Sequence, residues 1–128
     1  MNLEELSRRE RQIMEVLFRE SEGTVASIRD GMPDPPSLNA VRTLIQILEE
    51  KGHLSRRKSG REFIYSPKTN RRSVGIDALR RVINTFFQGS VDEALAAHLA
   101  SRDTQIDQET WARLNALIEE TQREEEKP

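Results

Sequence analysis

Residues 37–66 show the clearest pattern of the chain, with apolar and polar positions recurring first at helical and then at strand spacing. The helical part has apolar residues at i, i+3, i+4 and i+7, namely Val41, Leu44, Ile45 and Leu48. This spacing predicts a helix that buries one face. A second face carries only side chains that can hydrogen-bond to base edges or phosphates, namely Asn39, Arg42, Thr43 and Gln46.

Two short runs, 54–58 and 62–66, follow this helix after Gly52, a residue typical of a helix end. In the second run, the aromatic residues Phe63 and Tyr65 occupy alternate positions, and a short turn with a glycine separates the two runs. The pattern predicts a β-hairpin. Its arms and tip are basic, with Arg56, Arg57, Lys58 and Arg61. A helix with a polar face followed by a basic hairpin is typical of a winged helix-turn-helix.

The residues before this stretch predict the other parts of such a domain. A capping box at Ser7 opens a first helix that runs to about residue 20. A brief second helix is expected at 26–30, and the preceding Thr24 and Val25 could add a short strand to the hairpin. Three prolines within 33–36 exclude a helix there. The third helix therefore begins near residue 38, with Ser37 or Asn39 as its cap.

Three further helices are expected after the hairpin, at about 73–88, from 91, and from 107 after the capping residue Asp107. Their apolar residues are more than surface helices can bury alone, so we expect them to form a dimerisation region. The predicted dimerisation residues are Leu79, Val82, Ile83, Phe86, Phe87, Leu95, Leu99, Trp111, Leu114, Leu117 and Ile118.

The patterns together predict a mostly α fold with a small β-wing. The expected domains are a winged-helix DNA-binding domain at 1–70, a helical dimerisation domain at 71–122 and a disordered tail at 123–128. The low apolar content of 35% favours completion of the core by a partner subunit.

Charge is distributed unevenly although the net charge is only −2. Residues 1–72 have an excess of basic residues, whereas residues 73–128 have an excess of acidic ones. Between Arg56 and Arg72 there are seven basic residues and one acid. Because this run lies on the predicted wing, we expect contact with DNA phosphates rather than a merely solvated surface.

Several function classes are excluded by composition. The chain has no cysteine, so it has neither a disulfide framework nor a thiolate metal site. His53 and His98 have no partner at metal-ligand spacing, and no nucleophile has a nearby base, so we expect no metal, no cofactor and no enzyme activity. The sequence has no apolar run of membrane-spanning length and no signal peptide, which predicts cytoplasmic residence without membrane insertion.

The stretch NAVRTLIQILEEKGHLSRRKSGREFIYSP resembles the penicillinase and methicillin-resistance repressors. The matching features are Leu48, Lys51-Gly52, Gly60-Arg61 and the segment from Phe63 to Pro67. The opening LSRRERQIMEVLF and the later FFQGS are also similar to that family. The resemblance covers nearly the whole chain.

This resemblance implies a homodimeric repressor that binds double-stranded operator DNA with an inverted repeat. It also implies control of antibiotic-resistance genes, and release after a membrane-bound sensor protease cleaves the C-terminal helices. Residues 98–105 lack the Asn-Phe pair associated with that cleavage. The chain departs from the family at four positions in or near the third helix, which are Ala40, Ile47, Glu49 and Glu50. The two glutamates place negative charge near the duplex.

Within the predicted interface, Arg42 is the first candidate for a base or phosphate contact. Thr43 and Gln46 are expected beside it, and Asn39 is shared with the helix cap. Arg57, Lys58 and Arg61 are expected to bind phosphates or the minor groove. Two alternatives remain open at this point, a winged-helix module that binds proteins, and a regulator that senses a small ligand between the C-terminal helices.

Overall fold

The computed structural model describes residues 2–101, 103 and 105–127, which divide into two compact units, Met1–Val82 and Ile83–Pro128. A short 3₁₀ helix at Leu3–Glu5 precedes the first long helix. The helices are α1 (Arg8–Glu20), α2 (Val25–Asp30), α3 (Leu38–Glu50), α4 (Arg71–Phe86), α5 (Val91–Ala100) and α6 (Gln108–Glu125). Two strands, β1 (Leu54–Ser59) and β2 (Glu62–Pro67), lie between α3 and α4. The predicted fold class is confirmed.

Side-chain caps determine where the first three helices begin. Ser7 and Glu10 form a reciprocal capping box at α1, as the sequence predicts. Thr24 and Ser27 form a second one at α2, so Thr24 is a cap rather than part of a strand. Ser37 caps α3 by accepting a hydrogen bond from the amide of Ala40. Of the two caps proposed for α3, Ser37 is therefore the one that the structure uses.

The core of the first unit lies between α1, α2, α3 and the base of the hairpin. It is built from side chains that are at most 7% exposed, and α3 contributes Val41, Ile45 and Leu48 to it. The other core residues are Leu6, Ile13, Met14, Val16, Leu17, Ile28, Met32, Leu54 and Tyr65. Burial of this apolar surface is the main stabilising contribution to the unit. It also fixes which face of α3 is turned outward.

The hairpin is a two-stranded antiparallel sheet in which Arg56 pairs with Tyr65 and Ser59 with Glu62. Gly60 has φ +64° at the first position of the turn, which suits a two-residue type II′ turn. At the base of the hairpin, Gly23 and Tyr65 exchange two backbone hydrogen bonds of 3.0 and 2.8 Å. This bridge joins the hairpin to the loop between α1 and α2. The strand suggested at Thr24 and Val25 does not form, because these residues are the cap and the first residue of α2.

Helix α4 begins two residues earlier than predicted. The side-chain oxygen of Asn70 accepts hydrogen bonds from the amides of Arg72 and Ser73, so Asn70 has the capping role. At the other end, Gln88 and Gly89 both have positive φ, and α4 ends at Phe86 instead of continuing to residue 88.

In the second unit, Ser90 caps α5. Asp107 caps α6, as the sequence predicts. Helix α6 extends to Glu125, beyond its last apolar residue, because the Gln, Arg and Glu residues of this segment favour helix. The predicted domain limits at 70/71 and 122/123 stay predictions. No helix in the described part of the chain is long and apolar enough to cross a membrane.

Candidate nucleic-acid interface

Helix α3 has one buried and one exposed face. Val41, Ile45 and Leu48 are almost completely buried in the core, and Leu44 is partly buried against it. All four polar residues of the predicted reading face, Asn39, Arg42, Thr43 and Gln46, are exposed. The packing that holds the helix therefore leaves its hydrogen-bonding side chains free to meet a ligand.

Hydrogen bonds within α3 order part of this face. Nη1 of Arg42 donates to the side-chain oxygen of Asn39 at 2.9 Å, and the hydroxyl of Thr43 donates to the backbone oxygen of Asn39 at 3.1 Å. The Arg42 guanidinium is thus oriented along the helix while most of its donors remain available. Asn39 serves this interaction, whereas the cap of the helix is Ser37.

The turn before α3 is held by two arginines from other helices. Arg29 of α2 donates through Nε to the carbonyl of Pro36 at 2.7 Å. Arg9 of α1 donates to the carbonyls of Pro33 and Asp34 at 3.1 and 2.8 Å. Since the prolines cannot supply amides for a regular turn, these bonds satisfy carbonyls that would otherwise need water. They fix the start of the exposed helix relative to the core.

The hairpin stands beside α3 and presents basic side chains on both of its faces. Successive residues of a strand point to opposite sides, so Arg56 and Lys58 share the side of the buried Leu54, and Arg57 lies on the other. Arg57 donates through Nη2 to both carboxylate oxygens of Glu22, at 3.0 and 2.9 Å.

Between α3 and the hairpin lies an open cleft of about 380 Å³. Three arginines line it, which are Arg42 of α3, Arg56 of β1 and Arg61 of the turn. Gln46, Phe63 and the acidic Glu62 also line the cleft. A groove between a helix and a hairpin with an excess of positive charge suits a polyanion such as nucleic acid.

The structure brings together only some of the predicted contact residues. Arg42, Gln46 and Arg61 line the cleft, and Asn39 and Thr43 are exposed next to it on α3. Lys58 is exposed on β1, and Arg57 is paired with Glu22. Sequence reasoning placed Arg56 on the wing but left it out of the contact residues. The two-residue period of β1 is the sequence signal that could have identified Arg56, because it places Arg56 on the same side of the strand as the buried Leu54.

Across residues 2–101, 103 and 105–127, the structure contains no group of three or more His, Asp or Glu side chains that could hold a metal ion.

An exposed polar helix next to a basic hairpin on a helix-turn-helix core defines a winged-helix regulator that binds DNA. Residues 6–120 match the model of the penicillinase repressor family. The chain belongs to this family, and it is accordingly a DNA-binding transcriptional regulator and not an enzyme.

Among solved structures, the chain is similar to a crystal structure described as a possible transcriptional regulator for arsenical resistance. The identity is 25%, with 74% of this chain and 93% of that chain covered, and the TM-score is 0.44. A comparison with curated proteins gives no match.

Proposed function

We propose that this chain represses transcription as a homodimer on an inverted-repeat operator, with α3 of each copy in a major groove. The observation that carries the proposal is the exposed polar face of α3 beside the arginine-lined cleft. Two such helices related by a twofold axis would read half-sites about one helical turn apart, roughly 34 to 36 Å. Asn39, Arg42, Thr43 and Gln46 would contact base edges or phosphates, and Arg57, Lys58 and Arg61 the adjacent backbone or minor groove.

Replacement of Arg42 by Ala tests the role of α3. If Arg42 contacts a base, the variant should lose roughly 1 to 3 kcal/mol of binding free energy per half-site of the duplexes selected by the wild-type chain. Arg113→Ala is the control, because it removes the same charge from α6. Equal affinity of wild type and Arg42→Ala would contradict the assignment.

Salt dependence tests whether phosphates are bound at all. Each neutralised phosphate contributes roughly −0.9 to the slope of log affinity against log salt, so binding should weaken steeply as salt rises. A flat response, or no affinity for any duplex in gel shifts with genomic fragments, would favour a winged helix that binds proteins instead.

Exposed apolar side chains on α4, α5 and α6 support the homodimer. Nine of the twelve exposed large hydrophobic side chains among the described residues lie between Ile76 and Ile118, and Phe86 is the most exposed at 73%. Monomeric proteins rarely leave so many apolar side chains in water. A second copy of the chain would cover them. The residues proposed for this contact are Leu79, Val82, Ile83, Phe86, Phe87, Leu95, Leu99, Trp111, Leu114, Leu117 and Ile118.

Sedimentation equilibrium of two variants tests the dimer. Leu79→Glu places a charge within the apolar strip that Leu79, Val82, Ile83 and Phe86 form along α4. Leu79 is 60% exposed, and the variant should yield monomers at micromolar concentration. Asn84→Glu places the same charge on the same helix outside the strip and should leave the dimer intact. A monomeric wild-type chain would contradict the proposal.

Family membership supports a further part of the proposal, which is release from DNA by cleavage of the C-terminal helices. The partner would be a membrane-bound sensor protease, and the controlled genes would include antibiotic-resistance functions. Intact-mass measurement of the chain from induced and uninduced cells tests this. Two fragments are expected after induction, whereas induction with only the full-length chain present would argue against cleavage.

A further inference from the structure

Arg56 contacts two other elements at the edge of the cleft. Its Nε lies 3.3 Å from Oε2 of Glu49, in the last turn of α3. Its guanidinium carbon lies 4.3 Å from the centroid of the Phe63 ring on β2. The Arg56 side chain is half exposed, and that of Glu49 is 28% exposed. The arginine therefore has a defined orientation although it reaches solvent.

These contacts leave the far edge of the guanidinium available. The ion pair uses Nε, and the guanidinium carbon lies over the Phe63 ring. Within the described part of the chain, neither Nη group of Arg56 has a hydrogen-bond partner. Two parallel N–H groups on one edge are the donors with which arginine binds a phosphate bidentately.

The position of Arg56 suits a phosphate rather than a base. When a recognition helix occupies a major groove and a hairpin lies over the adjacent minor groove, the sugar–phosphate strand that separates the grooves passes between them. In this protein, that space is the cleft lined by Arg42, Arg56 and Arg61.

We propose that Arg56 is a phosphate-binding residue of the DNA interface and that Glu49 is the positioning residue that orients it. This inference rests on the proposed DNA binding. It gives Glu49 a role opposite to that suggested by its charge alone. A carboxylate close to DNA repels phosphate, but this carboxylate directs the guanidinium of Arg56 into the cleft.

Glu50 provides a matched comparison for Glu49. It is the next residue of α3, it carries the same charge, and it is exposed. Among the described residues it has no ion pair, so it has no arginine to orient. Repulsion alone predicts that Glu49→Gln and Glu50→Gln both strengthen DNA binding, whereas positioning predicts that Glu49→Gln weakens it and Glu50→Gln does not.

The experiment uses the full chain and a duplex that the wild-type chain selects from a random-sequence library. Fluorescence anisotropy measures affinity over a range of salt concentrations for wild type and five variants, which are Arg56→Met, Arg56→Lys, Glu49→Gln, Glu50→Gln and the double variant Glu49→Gln/Arg56→Met. Arg56→Met should bind about tenfold more weakly. Its salt slope should also be reduced in size by about 1.8, because each of the two copies in the dimer loses one phosphate contact that contributes about 0.9.

Glu49→Gln should bind about threefold more weakly with an unchanged salt slope, because the arginine is still present but is no longer oriented. In the Arg56→Met background, Glu49→Gln should cause no further loss. Glu50→Gln should bind as well as wild type or better. Arg56→Lys should keep the slope but lose affinity, since lysine lacks the planar edge.

Tighter binding by Glu49→Gln, or unchanged affinity and slope for Arg56→Met, would overturn the inference while the proposed function stands. A wild-type chain that selects no duplex would overturn the proposed function, and the inference with it. Thermal unfolding of each variant checks that the chain remains folded at the binding temperature.

Discussion

Nζ of Lys51, the residue that caps the C-terminus of α3, lies 3.0 Å from Oε2 of Glu10 in the first turn of α1. Glu10 is only 5% exposed, and its other oxygen accepts a hydrogen bond from the Ser7 amide at 2.9 Å. One buried carboxylate thus completes the cap of α1 and binds the end of α3. It connects α3, the helix proposed to read DNA, to the helix that supports it.

Replacement of Glu10 by Gln should lower the free energy of unfolding by about 1 kcal/mol, because the amide keeps the capping geometry but loses the ion pair with Lys51. Urea denaturation of the two proteins measures the difference. Glu15→Gln on the same helix is the control, since Glu15 is exposed and should change stability by less than about 0.5 kcal/mol. Equal stability of Glu10→Gln and wild type would show that the ion pair contributes nothing.

The contacts of the Glu10 carboxylate should make the free energy of unfolding depend on pH. Burial raises the pKa of Glu10. Hydrogen bonds from Ser7 and the ammonium group of Lys51 lower it by more than burial raises it, so the pKa lies below its ordinary value of 4.5. A carboxyl group with a lowered pKa stabilises the fold above that ordinary value, and the contribution is lost as pH falls through the folded-state pKa. Unfolding free energies measured between about pH 6 and pH 3 should therefore fall less for Glu10→Gln than for wild type.

Arg29 donates a hydrogen bond to the carbonyl of Pro36, just before α3, and we expect this bond to hold the start of the helix. Arg29→Met should increase amide hydrogen exchange at Ala40, whose N–H is bound by the Ser37 cap, because the turn before the helix is then free to move. The lost hydrogen bond should also cost about 1 kcal/mol of stability. Arg8→Met is a suitable comparison on exposed surface. Unchanged exchange at Ala40 in Arg29→Met would contradict this role.

Two glycine substitutions should have opposite effects on stability. Gly60 has φ +64° in the hairpin turn, and a Cβ there would meet no atom within 4 Å, so Gly60→Ala should destabilise by about 1 kcal/mol through the backbone alone. Gly75 lies inside α4 with open space around it, and Gly75→Ala should stabilise by about 0.5 to 1 kcal/mol. Thermal unfolding of both variants measures these effects. A neutral Gly60→Ala would imply that another turn type is accessible.

The sequence was most informative where one local period determines the structure. The spacing of Val41, Ile45 and Leu48 identified the buried face of α3, and the glycine turn with alternating residues identified the hairpin. These elements are decided by nearby residues and by the burial of apolar surface. The fold class and the general location of the candidate interface therefore followed from the sequence.

Contacts between residues far apart in the chain could not be predicted in this way. Glu10 and Lys51 are 41 positions apart, and Glu22 and Arg57 are 35 apart. No local pattern selects these partners among 20 basic and 22 acidic residues. The beginning of α4 was missed for a different reason, because both Asn70 and Ser73 are acceptable caps and only the backbone geometry distinguishes them.

The bridge between Gly23 and Tyr65 meets the hairpin at the pair of Arg56 and Tyr65, the third of its six register pairs, and residues 59–61 lie at the far end of the hairpin. Sequence changes at this tip should therefore spread little into the core. Related repressors can therefore carry other residues at the tip, and so differ in their affinity for DNA, without a change in the position of α3. Apart from Gly60, whose positive φ restricts substitution, the hairpin tip is a site where regulatory diversity can accumulate at little cost to folding.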